Sequence, residues 1–256
     1  MPKKIYLSHT AIDMYDRCSW KYFLKYILKI QPVHDIRWPL VSGVAFHELA
    51  EAMYTAKDYS KTWLLRNWPK FFELAVEQEV QGWQTATDYD KQLGYGYGLV
   101  SNFYNLARAK NYLRDPIEAE WGFTIKLRTC IIRGKVDLII PTKDKKYIDV
   151  LDWKTGWGIP AQNDVDSNLQ LTIYDWAAKH ELGLKNVRSG LVFPRKNKVL
   201  YTFRDSSHHD AFVEKAEDTA NKIRNDEYEP NFDHCNWCEL KHACKHYQEK
   251  FNPNSV

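Results

Sequence analysis

Along this 256-residue chain the apolar positions change period, and the elements follow from that change. Ile12 and Tyr15 lie three apart behind Ser8, a residue type suited to cap a helix, so a helix is expected from Ser8 toward Cys18. An aromatic stretch, Trp20-Lys21-Tyr22-Phe23-Leu24, follows it. Phe46, His47, Leu49, Ala50 and Met53 mark a second helix over 42–55. Helices are also expected over 61–81 and 90–113, although Gly94, Gly96 and Gly98 weaken the first turns of the latter. From residue 119 the period becomes two. Strands are expected over 119–128, 130–140 and 147–153, with Lys143-Asp144-Lys145-Lys146 as the turn between the last two. A helix over 166–182, strands over 187–193 and 198–203, and a helix over 208–226 lead to a cysteine-rich tail. This order is that of an α/β core with helical additions.

Composition narrows the class. Hydrophobic residues at 44% and charged residues at 27% describe a globular chain rather than a disordered one. Lys and Arg total 36 against 33 for Asp and Glu, a formal net charge of +3. That excludes a histone-like cation or an acidic tail but leaves room for a local basic groove. No run approaches the ~20 apolar residues of a membrane helix, and Met-Pro-Lys-Lys-Ile-Tyr leads into no apolar signal core. The expectation is a cytoplasmic protein without membrane association. There is no GxxxxGK[ST], hence no P-loop.

The most informative chemistry lies in Arg133-Gly-Lys-Val-Asp137 and Val150-Leu-Asp152-Trp-Lys154-Thr-Gly156. Side chains two apart on a strand share a face, so Asp152 and Lys154 point the same way. Asp137, on the preceding strand of the hairpin, reaches the same point. Two carboxylates beside a lysine suit a hard cation with open coordination positions, Mg²⁺ or Mn²⁺. Such an ion activates water and polarises a phosphoryl oxygen, while the lysine steadies developing negative charge. His47-Glu48 begins a zinc-protease HExxH, but the fifth residue is Glu51, so that option fails. Gln170 and Tyr174 are i,i+4 and share one helix face.

Of the five cysteines, Cys235-x2-Cys238-x5-Cys244 offers three thiolates, and closely spaced cysteines in a reducing compartment more often bind metal than form disulfides. Cys18 supplies a fourth ligand for an iron–sulfur cluster only if the chain ends meet. Zinc is the alternative, with His234, His242 and His246 beside the thiolates. Cys130 reads as a buried small hydrophobe. Lys21, Lys25 and Lys29 form a basic i,i+4,i+8 stripe among aromatics, and Arg195, Lys196 and Lys198 cluster at a turn; both suit single-stranded backbone contact with base stacking.

Taken in order, these elements resemble a PD-(D/E)xK nuclease of the RecB-like branch. The likeness is to its iron–sulfur members, such as CRISPR-associated adaptation exonucleases and phage recombination nucleases. The matching residues are Cys18, His47 in Gly43-Val-Ala-Phe-His-Glu-Leu, Asp137, Asp152-Trp-Lys154, Gln170 with Tyr174, and the cysteine tail. The resemblance implies a restriction-endonuclease-like αβββαβ core with a helical insertion and a C-terminal iron–sulfur domain joined to the N-terminal helix. It assigns metal ligation to His47, Asp137, Asp152 and the backbone carbonyl of Trp153, with Asp137, Asp152 and Lys154 as the catalytic set. It gives Gln170 and Tyr174 to DNA positioning, and Cys18, Cys235, Cys238 and Cys244 to a [4Fe–4S] cluster. An acidic residue before the second strand, Glu118 or Glu120, assists.

The expected organisation is an N-terminal segment over 1–41, a nuclease core over 42–205 with an insertion at about 61–113, and a tail over 206–256. The expected activity is a Mg²⁺- or Mn²⁺-dependent DNase, an exonuclease on single-stranded ends, with a helicase or a recombination or CRISPR complex as partner. The alternative is a catalytically silent DNA-binding iron–sulfur or zinc module of such a complex. A zinc-stabilised scaffold is the third reading.

Overall fold

A computed structural model describes residues 4–32, 38–79 and 86–251; the last two residues expected in the 61–81 helix, and residues 1–3, 33–37 and 252–256 of the expected end segments, lie outside them. In chain order the elements are β1 (Ile5–Leu7), α1 (His9–Arg17), α2 (Ser19–Tyr22), α3 (Trp38–Ala56), α4 (Lys61–Glu79) and α5 (Ala86–Ala109). There follow β2 (Glu118–Lys126), β3 (Cys130–Pro141), β4 (Ile148–Trp153), α6 (Gln162–Asp166), α7 (Leu169–Glu181), β5 (Val187–Phe193), β6 (Lys198–Thr202), α8 (Ser206–Arg224) and α9 (Lys245–Phe251). The chain divides into two compact units. One comprises Ile36–Phe123 and Lys135–Asp205, the other Met1–Asp35, Thr124–Gly134 and Ser206–Val256.

The larger unit is an α/β sandwich around a mixed sheet. β3 and β4 are antiparallel, β4 and β5 parallel, and β5 and β6 antiparallel, with β2 on β3. Strand alternation sorts the side chains between two layers. Leu138, Ile140, Leu151, Trp153 and Val192 join the core formed with α3, α4 and α5. Leu191 and Phe193 pack instead against Val165 and Leu171 of α6 and α7. Phe103 of α5 meets Phe46 of α3 edge-on at 5.0 Å and Trp153 at 5.3 Å, bracing the neighbours of His47 and Asp152.

The glycines of α5 have one structural purpose among them. A Cβ on Gly96 would fall 1.9 Å from Trp68, whereas Gly94 and Gly98 face open space. The helix expected over 166–182 is α7, beginning at Leu169, and a short helix, α6, precedes it. Asn168 leaves helical geometry and its side chain accepts from Leu171 N–H at 3.0 Å, capping α7 anew. Buried Arg204 ties that junction, donating to the Val165 and Asn168 carbonyls and to the Thr172 and Thr202 hydroxyls.

In the smaller unit, β1 pairs in parallel with the start of β3, Ile5 facing Cys130. A three-residue strand has too little alternation to stand out in sequence. The Ser8 cap is present, accepting from Ala11 N–H at 3.1 Å. Cys130 is buried, as expected, with its thiol toward the Ala216 carbonyl. The basic stripe does not form. A π-helical turn over Phe23–Ile27 breaks the i,i+4 register, Lys29 lies in left-handed backbone at φ 59°, and Lys21 pairs with Glu239 at 2.7 Å. No helix among the described residues is long and apolar enough to cross a membrane.

Candidate active site

β3 and β4 build the centre by register. Leu138 pairs with Leu151, so Asp137 and Asp152 occupy the next rung. The odd-numbered Leu151 and Trp153 enter the core with α3–α5, which turns Asp152 and Lys154 toward α7. There Gln170 receives them. Its Nε2 donates to Asp152 Oδ1 at 2.6 Å and to Tyr174 Oη at 2.8 Å, and its Oε1 accepts from Lys154 Nζ at 2.9 Å. Lys154 Nζ also stands 2.7 Å from Asp152 Oδ2. All three hydrogen-bonding atoms of the Gln170 amide are engaged, which orients it uniquely.

Asp137 is held from both sides. Its Oδ2 accepts from Trp153 N–H at 2.5 Å, and its Oδ1 lies 3.2 Å from His47 Nδ1, brought in by α3. Burial and the charge of Asp152 push the Asp137 carboxyl up to about 6, against the opposing pull of His47. Burial works to lower His47, but the carboxylates of Asp137, Glu120 and Asp152 around it outweigh this and carry it to about 10. The centre therefore holds more negative charge than its own cations balance.

Glu120, not Glu118, is the acidic residue that β2 brings to this centre. Its carboxylate lies 3.9 Å from His47 and 2.7 Å from Lys135, and Lys135 reaches Glu51 at 3.3 Å. Glu120 has φ 51°, a left-handed conformation that costs a non-glycine residue roughly 1–2 kcal/mol. Strain of this kind gathers at functional sites. Gly43 of α3 allows a close approach to the loop after β4, since a Cβ there would lie 3.2 Å from Thr155 Oγ1.

Among the described residues, His47, Glu120 and Asp137 form the group whose ligand atoms all lie within 4.8 Å of one another. Glu120 Oε1 is buried and makes no hydrogen bond, a donor atom of the kind a cation would satisfy. Oxygen-rich ligands with one imidazole fit Mg²⁺ or Mn²⁺. Asp152 stands outside that group, engaged by Lys154 and Gln170.

In the smaller unit, Cys18, Cys235, Cys238 and Cys244 line one cavity of about 30 Å³. Asn231 N–H points at Cys18 Sγ at 3.4 Å, and Trp20 N–H donates to the Glu229 carbonyl at 3.1 Å, so the N-terminal helices are bonded to the segment preceding Cys235. Burial first, then neighbouring cysteines, push the Cys235 thiol above its usual range. Among the described residues, no three of these sulfurs lie within 4.8 Å of one another.

Among known structures, a Eubacterium rectale protein described as "Putative exonuclease" has a similar fold. Its TM-score is 0.54 at 12% identity, over 96% of this chain and 88% of that one. The protein SSO0001 aligns at a TM-score of 0.35 and 18% identity, over 89% of this chain and 94% of its own. No curated protein matches the chain. The PD-(D/E)XK nuclease superfamily matches residues 6–245, a span that takes in both carboxylate strands and the cysteine tail. With nearly the whole chain matched, and its paired aspartates and lysine gathered at one end of the β3–β4 hairpin, this protein belongs to the PD-(D/E)XK nuclease superfamily.

Proposed function

We propose that this protein is a metal-dependent deoxyribonuclease that degrades single-stranded DNA from its ends. The convergence of Asp137, Asp152, Lys154 and His47 is the observation that carries the reading. His47, Asp137, Asp152 and the Trp153 carbonyl would hold Mg²⁺ or Mn²⁺, with Glu120 as an added carboxylate. A divalent cation so bound lowers the pKa of its water and polarises a phosphoryl oxygen. Lys154, oriented by Asp152 and Gln170, positions the attacking water and offsets charge growing on the phosphate. Tyr174 secures Gln170 and lines the DNA side of the site. The exonuclease direction follows the family resemblance, and the description of the E. rectale neighbour runs the same way. The test compares wild type with Asp152→Ala and Lys154→Ala on end-labelled and circular DNA with Mn²⁺. Loss of cleavage in both variants, with circles spared by wild type, is expected; activity surviving both substitutions overturns the site.

The same reading gives Cys18, Cys235, Cys238 and Cys244 to a [4Fe–4S] cluster that fastens the N-terminal helices to the tail. Their shared cavity supports this. A protein purified without oxygen should be brown, with broad absorbance near ~400 nm. A colourless preparation with stoichiometric zinc refutes the cluster.

A further inference from the structure

Three residues beyond Lys154 the chain exposes a tryptophan where burial would be the ordinary fate of so large a ring. Trp157 is 64% exposed. Gly156 and Gly158 flank it in open space, so nothing crowds its approach. The turn between β5 and β6 brings two cations to it: the Arg195 guanidinium lies 4.8 Å from the ring centroid and Lys196 Nζ 5.3 Å. Arg195 is fixed in place, its Nε donating to the Thr155 carbonyl at 2.7 Å. An aromatic face with adjacent cations is the chemistry that holds a single strand, the ring stacking on a base while the cations meet its phosphates.

We infer that Trp157, with Arg195 and Lys196, is a stacking platform for an unpaired base of the substrate strand and sets the preference for single-stranded over duplex DNA. The inference rests on the nuclease reading for the identity of the substrate. At most about 11 Å of chain separates Lys154 from Trp157, the rise of roughly three stacked nucleotides at 3.4 Å each. A base seated on Trp157 therefore sits a few nucleotides from the scissile phosphate. Duplex DNA keeps its base faces within its own stack and cannot use the platform.

Binding of the full-length protein to a labelled 20-mer oligo-dT, and to a duplex of equal length, is measured by anisotropy without added divalent metal; cleavage is measured separately with Mn²⁺. Stacking is worth ~1–3 kcal/mol per base, so Trp157→Ala should weaken oligo-dT binding by about fivefold to 150-fold. Its duplex affinity should stay within about twofold of wild type. Trp157→Phe, which keeps a π-face, should recover most of the loss, and unchanged thermal unfolding of all three proteins checks their folding. Equal oligo-dT affinity for wild type and Trp157→Ala, an equal loss on both DNAs, or no wild-type binding of oligo-dT overturns the platform. Selective binding that depends on Trp157, with no cleavage in Mn²⁺, upholds the platform and overturns the nuclease reading alone.

Discussion

Gly96→Ala is expected to destabilise the protein although it replaces glycine with the best helix former inside a 24-residue helix. The new Cβ would sit 1.9 Å from Trp68 Cζ2, 2.2 Å from Cε2 and 2.5 Å from Nε1. Carbon atoms pack at about 3.5–4.0 Å, so α5 and the indole must separate by roughly 1.5–2 Å. Trp68 has no free direction: it is fully buried, and its Nε1 donates to the Leu93 carbonyl at 3.0 Å. Overpacking costs about 1–3 kcal/mol, and losing that hydrogen bond costs about 1 more. The gain in helix propensity returns only about 1. With a contact this close the upper end applies, a net loss of about 3 kcal/mol and a fall in Tm of roughly 6–12 °C. Gly98→Ala is the control. It makes the same change two residues on, into open space, and should raise Tm by roughly 2–4 °C. Thermal and urea unfolding of the two variants beside wild type read the difference. If Gly96→Ala proves as stable as Gly98→Ala, the packing argument for this helix is wrong.

The remaining predictions concern the site and its supports. Gln170→Ala removes the amide that orients both Asp152 and Lys154, and should lower kcat about tenfold to a hundredfold with a smaller change in KM; unchanged kcat in steady-state cleavage refutes this role. With its folded pKa raised to about 6, Asp137 stabilises the metal-free protein fully below about 4, and that contribution is lost as pH rises through 6. His47, raised to about 10, gives stability that is full below about 6.5 and lost as pH rises through 10. A bound cation must displace the His47 proton, so Mn²⁺ affinity measured by calorimetry should rise up to about tenfold per pH unit between pH 7 and 9; a flat profile contradicts this. Arg204→Ala removes the hydrogen bonds that the buried guanidinium donates to the Val165 and Asn168 carbonyls and to the Thr172 and Thr202 hydroxyls, and should cost about 3 kcal/mol in urea unfolding. Burial pushes the Cys130 thiol to about 11, so roughly one molecule in a thousand is thiolate at pH 8. Mass spectrometry should find Cys130 unalkylated by iodoacetamide until the protein is unfolded.

What the sequence alone determined is what short-range periodicity carries. Short apolar runs bounded by turn residues placed β3, β4 and β5 to within a residue, and strand alternation set Asp152 and Lys154 on one face because side chains two apart on a strand have no other choice. Helical i,i+4 spacing brought Gln170 and Tyr174 together within α7. Tertiary structure decided the rest, because the partners are distant along the chain. Alternation could not choose Glu120 over Glu118, because residues two apart on a strand share a face, and only the fold shows that Glu120 is the one beside His47 and Lys135. Only the resemblance singled out His47, since no local pattern shows that α3 sets it against Asp137. The basic stripe of Lys21, Lys25 and Lys29 failed because helical spacing holds only while the helix stays α. Gly96 read as a weakness in a helix and is the seat of Trp68, a contact made by two helices that no single window of sequence contains.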